Sequence, residues 1–174
     1  MTINELQRKL IKEIERLTAD MELVNKHGER TALKGYSQAI PMQPVFSAVP
    51  YEKSEELWQE DEGDEALFPY FIVRVGKVEY RKRERDGRNQ AHIMVAFAVY
   101  DEDPYLRGYY TLTSIMERIV GRFLENPVLG EFFCKDEIRL EFWEDDTYPQ
   151  FFGGMEMFWD LPDVVVSPVV EEFL

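Results

Sequence analysis

Apolar residues recur at steps of three and four from the start of the chain: Ile3, Leu6, Leu10, Ile14, Leu17, Met21 and Val24. Glu13, Glu15, Arg16 and Asp20 fall between them. That spacing predicts one apolar stripe on a helix. Thr2 and Glu5 have capping-box spacing at its start, and Gly28 stands where a C-terminal cap belongs. The stripe covers only about three heptads, which favours a helix packed on its own sheet over a coiled coil.

The pattern then breaks. Gly35, Pro41, Pro44 and Pro50 surround Val45, Phe46 and Val49, predicting a short edge strand, since proline cannot donate to a ladder. Residues 52–65 carry Glu55, Glu56, Glu60, Asp61, Glu62 and Asp64 and read as a solvated acidic loop. Their spacing lacks the alternating oxygen ligands and turn glycine of a calcium loop.

From Pro69 the period becomes two. Phe71, Val73, Val75, Val78 and Tyr80 predict a strand with a break near Gly76. Ala91 to Tyr100 is apolar at nearly every position and reads as a central strand covered on both faces. Asp86-Gly87 between these segments predicts a projecting β-hairpin. Asp101 to Pro104 opens a second helix that runs to about Glu125, with Leu112, Ile115, Met116, Ile119, Val120 and Phe123 on its buried face. Asn126-Pro127 stops it. Ile138, Leu140 and Phe142 alternate as one strand. Met155, Met157 and Trp159 alternate as another, after a turn around Pro149, Gly153 and Gly154. The tail, 163–174, holds Val164-Val165-Val166 and Pro168.

This order predicts a single α+β domain over 1–174, with an N-terminal helix and a second helix packed on a mainly antiparallel sheet. The chain has 174 residues, enough to bury a core, and 14% are aromatic. Many of those aromatics cluster late, between Phe132 and Trp159, where they supply a core or an oligomer interface.

Charge narrows the function classes. A net charge of −14 repels nucleic acid and anionic lipid over most of the surface. The one cysteine, Cys134, allows no intramolecular disulfide. The first residues lack a signal pattern, and no apolar run spans a bilayer, so the expected setting is a reducing cytoplasm without membrane contact.

Catalytic signatures are missing. His27, His92 and Cys134 stand at unrelated spacings, and a zinc site needs more ligands. The neighbours of Cys134, Phe133 and Lys135, suit a buried structural thiol rather than a nucleophile. Neither a P-loop nor a dinucleotide turn occurs. Glu144-Asp145-Asp146 reads as a solvated turn. No enzyme, metal or cofactor is expected.

One local anomaly remains. Between Arg74 and Arg88 the charge inverts to a surplus of four positives, carried by Arg74, Lys77, Arg81, Lys82, Arg83, Arg85 and Arg88. The bland reading is an exposed hairpin kept soluble by edge charges. The sharper one is an interaction arm, with Arg81, Lys82, Arg83, Arg85 and Arg88 as candidate contacts to an acidic surface.

The run V-Y-D-E-D-P-Y-L-R-G-Y-Y-T-L-T-S-I-M-E-R-I-V-G-R-F-L-E-N-P-V-L from Val99 and the later L-E-F-W-E-D-D-T-Y-P-Q-F-F-G-G-M-E-M-F-W-D-L-P resemble tail-terminator or tail-completion (minor tail) proteins of tailed bacteriophages and prophage-derived tail particles. The resemblance covers roughly residues 69–162. It implies a subunit of a hexameric ring that caps the tail tube, ends its growth and joins the tail to a head-completion, neck or collar protein. The implied partners are further copies of the chain, the tube protein and the neck protein, with DNA passing unbound. The implied location is a virion or tail-like particle assembled in the bacterial cytoplasm. The acidic loop 52–65 has no counterpart in that pattern.

Two other classes compete. A small regulatory or nucleic-acid-binding module would use the basic hairpin 74–88 and bind DNA in a salt-sensitive way. An enzyme with an unrecognised carboxylate site would show a pocket of convergent acids.

Overall fold

The computed structural model describes residues 2–41, 67–81, 88–105 and 107–163. The expected strand around Val45–Val49, the acidic loop 52–65 and the tail beyond Asp163 lie outside the described residues.

The first helix, α1, spans Ile3–Thr18, and its Leu6, Leu10 and Ile14 are fully buried. The helix is shorter than its stripe predicts. Thr2 is the N-cap, but its side chain makes no capping bond; only its carbonyl accepts, from the Glu5 and Leu6 N–H groups. The C-cap is Ala19, and the expected cap at Gly28 is a correction. Gly28, at φ +76°, closes the turn between two short antiparallel strands, β1 (Leu23–Val24) and β2 (Arg30–Thr31). Asn25 organises that turn, its Oδ1 accepting from the His27 and Glu29 N–H groups. The helix has already ended at Thr18, where the Ala19 and Met21 N–H groups donate three residues back to the Arg16 and Thr18 carbonyls, so Met21 and Val24 continue the apolar spacing without continuing the helix.

Six strands form the main sheet in the order β3-β4-β5-β8-β7-β6. They are β3 (Lys34–Ser37), β4 (Tyr70–Glu79), β5 (Asn89–Tyr100), β6 (Val128–Leu129), β7 (Phe132–Phe142) and β8 (Gln150–Leu161). All neighbours are antiparallel except β3, which runs parallel to β4 at the edge. The α+β class is as the sequence predicts. The break near Gly76 is a register shift between Val75 and Lys77 on β4. A second shift, between Cys134 and Ile138, bends β7.

The second helix, α2, spans Arg107–Glu125. It begins later than Asp101 to Pro104 suggests, and its first turn holds no acid. Asp103 still serves the entry: its Oδ1 accepts from the Tyr105 N–H, and its carboxylate lies 2.9 Å from Arg107 Nε.

Both helices cover the same face of the sheet. Leu6, Leu10 and Ile14 of α1 and Leu112, Ile115, Met116, Ile119 and Phe123 of α2 form one core with Phe71, Val95, Phe97, Met157 and Trp159. Alternation along each strand places these residues on one side and their neighbours on the other. Removing such a buried Leu or Ile costs about 2–5 kcal/mol.

The other face is only partly covered. Phe68, Tyr70, Ile72 and Ala98 form a second small cluster with Tyr36, Ile40 and Phe152. Beyond it Met94 is half exposed and Ala96 is exposed. The expectation that β5 is covered on both faces is thus corrected: full cover exists only at its C-terminal end. Gly153 and Gly154 lie within β8, a second correction; the turn from β7 is residues 143–149. Both glycines are paired in the ladder, and at Gly153 the α2 side chains of Leu112 and Met116 fill the space a Cβ would need.

Candidate assembly surface

The partly covered face carries two chemically different ends. Cross-strand register brings Lys77 opposite His92 and Phe158, and Glu79 opposite Gln90, Asp160 and Phe133. At this end cations and acids pair. Lys77 Nζ lies 2.6 Å from Glu79 Oε1, and Arg81 lies 3.7 Å from the other oxygen. These cations hold the Glu79 carboxyl below its usual range, the Lys77 hydrogen bond most of all. Arg88 and Lys135 each lie 3.7 Å from Asp160. The Arg81 N–H also donates to Asn89 Oδ1 at 2.7 Å, fixing the base of the arm.

Of the candidate contact residues, Arg81 and Arg88 are placed at the base of the β4–β5 hairpin. Lys82, Arg83 and Arg85 lie outside the described residues. Antiparallel pairing of β4 and β5 establishes the hairpin topology that Asp86-Gly87 predicts.

In the middle of the face, Glu156 lies between Arg139 and His92. Its Oε2 lies 3.5 Å from Arg139, and its Oε1 lies 2.7 Å from His92 Nε2. The His92 contact is close but lacks the alignment of a hydrogen bond. The His92 ring stacks on Phe158 with centroids 4.9 Å apart. Sequence spacing gives no sign of this cluster, because its members come from three strands and meet only through register.

The opposite end is aromatic and acidic. A groove of about 980 Å³ opens there, lined by Ala96, Glu141, Trp143, Glu144, Phe152 and Gly154, among others. Trp143 is 62% exposed, and its ring meets Phe152 edge-on at 6.4 Å. A second hollow of about 280 Å³ on the other side of the 143–149 turn adds Tyr109, Asp145, Asp146 and Tyr148. The turn is anchored: the Tyr148 hydroxyl donates to the Glu102 carbonyl at 2.5 Å, and the Thr147 hydroxyl donates to the Gln150 carbonyl at 2.6 Å. Among the described residues no cation pairs with Glu141, Glu144, Asp145 or Asp146. The solvated-turn reading of Glu144-Asp145-Asp146 describes their exposure correctly. It misses the groove beside them, which arises only when Gly154 and Ala96 come side by side across β8 and β5.

The remaining candidate chemistry is scattered. Cys134 is buried against the core, and burial, followed by the charge of Asp136, pushes its thiol up to about 12. His27 is exposed in the β1–β2 turn. Among the described residues no cluster of three or more His, Cys, Asp or Glu side chains is placed to hold a metal ion. None of the helices among them is long and apolar enough to cross a membrane.

No family model matches the chain, and no curated protein matches it. One solved structure, 12% identical, superposes on 95% of this chain and 99% of its own with a TM-score of 0.51. At that identity the likeness concerns the fold alone.

Proposed function

We propose that the chain is a structural subunit of a phage tail or phage-tail-like particle, which closes into a homo-oligomeric ring on the end of the tail tube. The ring stops tube growth and presents a surface to the head-completion, neck or collar component. The observation that carries this reading is the partly covered sheet face. Both helices lie on the other side, leaving Met94, Ala96 and Trp143 for contact with another surface. A closed ring needs two different complementary patches on each subunit, and this face has a basic-armed end and an acidic, aromatic end.

The outer edge of β7 supports the same reading. Among the described residues β6 pairs only with Phe132 and Phe133, leaving the length of β7 from Lys135 to Phe142 without a neighbour on that side. An unpaired edge can accept a strand from a neighbouring subunit.

The nucleic-acid-binding alternative draws on the basic arm. Lys77, Arg81 and Arg88 already face Glu79 and Asp160, which lowers the positive charge available to a phosphate backbone.

The test is the native mass of the purified protein over a concentration range, with negative-stain imaging alone and on added tail tube. A ring on the tube end is the expected result. A strict monomer that leaves the tube bare and shifts labelled DNA at low salt overturns the reading in favour of the alternative.

A further inference from the structure

We infer that the acidic, aromatic groove at the β7–β8 end receives the basic 81–88 hairpin of a second copy of this chain. This inference rests on the ring reading for its biological setting, but its chemistry stands on the two ends of one sheet face.

Charge complementarity is the first support. The groove and its rim gather Glu141, Glu144, Asp145 and Asp146, none of which forms an ion pair with a cation among the described residues. Elsewhere on the face the carboxylates Glu79, Glu156 and Asp160 each have a Lys or Arg within 4 Å: Lys77, Arg139 and Lys135. The hairpin sequence, Arg81-Lys82-Arg83-Glu84-Arg85-Asp86-Gly87-Arg88, holds five cations against two acids. It is the strongest concentration of positive charge in a chain of net charge −14.

Side-chain chemistry is the second support. Trp143 presents an exposed indole beside Phe152, and Tyr148 stands on the other side of the turn. An arginine guanidinium stacks on such rings while its N–H groups reach carboxylates at the rim. Lysine satisfies the charge but not the plane, so an arginine-rich arm suits this groove better than a lysine-rich one.

Geometry makes the contact intermolecular. β5 is twelve residues long, with the hairpin at its start and the groove beside its end. The groove's β5 residues, Ala96 and Phe97, lie seven and eight residues beyond Asn89, so the two sites are roughly 23–26 Å apart along the strand. Chain length alone limits the segment between Arg81 and Arg88 to a reach of about 13 Å from its base, short of that separation. A chain cannot place its own arm in its own groove. Arm to groove is a head-to-tail contact, the kind that closes rings when the rotation permits.

The test uses charge exchange on the full chain. The groove variant carries Glu144→Lys, Asp145→Lys and Asp146→Lys; the arm variant carries Lys82→Glu, Arg83→Glu and Arg85→Glu; the third carries both sets. Circular dichroism checks that each is folded. The expected result is loss of the oligomer in either single set and its return in the combined set. An oligomer that persists in both single sets overturns this contact while leaving the ring reading intact.

A wild-type protein that stays monomeric, even on tail tube, removes the ring reading instead. A cyclised peptide of residues 79–90 then tests the contact directly. The expected result is saturable quenching of tryptophan emission that disappears in Trp143→Phe and weakens at least about tenfold in the groove variant. An absence of quenching by the peptide, or quenching that the groove variant leaves unchanged, overturns the contact.

Discussion

Glu13 of α1 accepts a hydrogen bond from Arg122 of α2, Nε to Oε1, at 2.7 Å. The same carboxylate takes two bonds from Arg16, at 2.9 and 2.8 Å. Arg122 in turn donates to the Asn126 carbonyl and, at 3.2 Å, to that of Val128. One carboxylate thus ties the two helices together and, through Arg122, to the start of β6. Arg16 first, with Arg122 and against some loss of hydration, holds Glu13 at about 2, below its usual 4.5.

A group whose folded value is depressed contributes stability above its unfolded value and loses it as pH falls toward the folded one. Glu13 therefore stabilises the protein fully at neutral pH and progressively less between about pH 4.5 and 2. With the screening expected from the exposed Arg16 side of the contact, Glu13→Gln should cost about 1–2 kcal/mol at pH 7. Urea unfolding from pH 7 to 2.5 checks both points. The variant should approach wild type at the acid end, and a constant difference across that range would remove Glu13 from the account.

Gly35 lies on the edge strand β3, opposite Phe71 of β4 and against Ile11 of α1. A Cβ there would stand 2.3 Å from Phe71 Cζ and 2.7 Å from Ile11 Cγ2. Phe71 is fully buried and stacks on Phe97, so it has no free direction in which to yield. Gly35→Ala should destabilise by about 1–3 kcal/mol. Pairing it with Phe71→Leu should recover part of the loss relative to the sum of the two single changes, measured as a double-mutant cycle. Strict additivity would place the strain elsewhere.

Cys134 should be inert in the native protein. Its thiol is buried and held protonated, with its value raised to about 12 from 9.0. The thiolate is the reactive form, so labelling by a disulfide reagent at pH 8 should follow unfolding rather than direct attack. The raised value also sets a sign. Between about pH 9 and 12 the native state binds more protons than the unfolded one, so stability should fall as pH rises through that window. Rapid labelling in the absence of denaturant would show a thiol more accessible than its packing implies.

The legibility of this chain in its sequence follows from how local each feature is. Leu6, Leu10 and Ile14 lie one turn apart, and Ile93, Val95 and Phe97 lie two residues apart, so both faces are written in short-range periodicity. The end of α1 is less local. Met21 and Val24 keep the spacing, but the helix stops at Thr18 and Val24 belongs to β1, which pairs with β2 across the Asn25–Gly28 turn. Gly153-Gly154 has the composition of a turn, yet it sits in β8, where Leu112 and Met116 of α2 occupy the space that a side chain at Gly153 would need. The His92–Glu156–Arg139 cluster and the Trp143 groove are assembled by register among β5, β7 and β8. No spacing within one segment encodes them. The basic arm was legible because five cations occur within eight residues.

The two adjacent glycines of β8 separate packing from function. A Cβ at Gly153 would stand 3.1 Å from Met116, 3.2 Å from Leu112 and 3.3 Å from the Glu141 carbonyl. Gly153→Ala should therefore lower stability by about 1 kcal/mol or more, since α2 has to give way. At Gly154 the nearest atom to a Cβ is the Val95 carbonyl at 3.8 Å, an ordinary contact. Gly154→Val should leave stability unchanged or raise it by about 0.5–1 kcal/mol, because glycine weakens a strand interior. Its side chain, however, would fill the floor of the groove beside Ala96 and Trp143. Thermal unfolding should rank Gly154→Val at or above wild type and Gly153→Ala below it. Oligomer mass and binding of the 79–90 peptide should fall in Gly154→Val alone. A stable Gly154→Val protein that still assembles and still binds the peptide would leave the groove without a role in assembly, because nothing but its floor has changed.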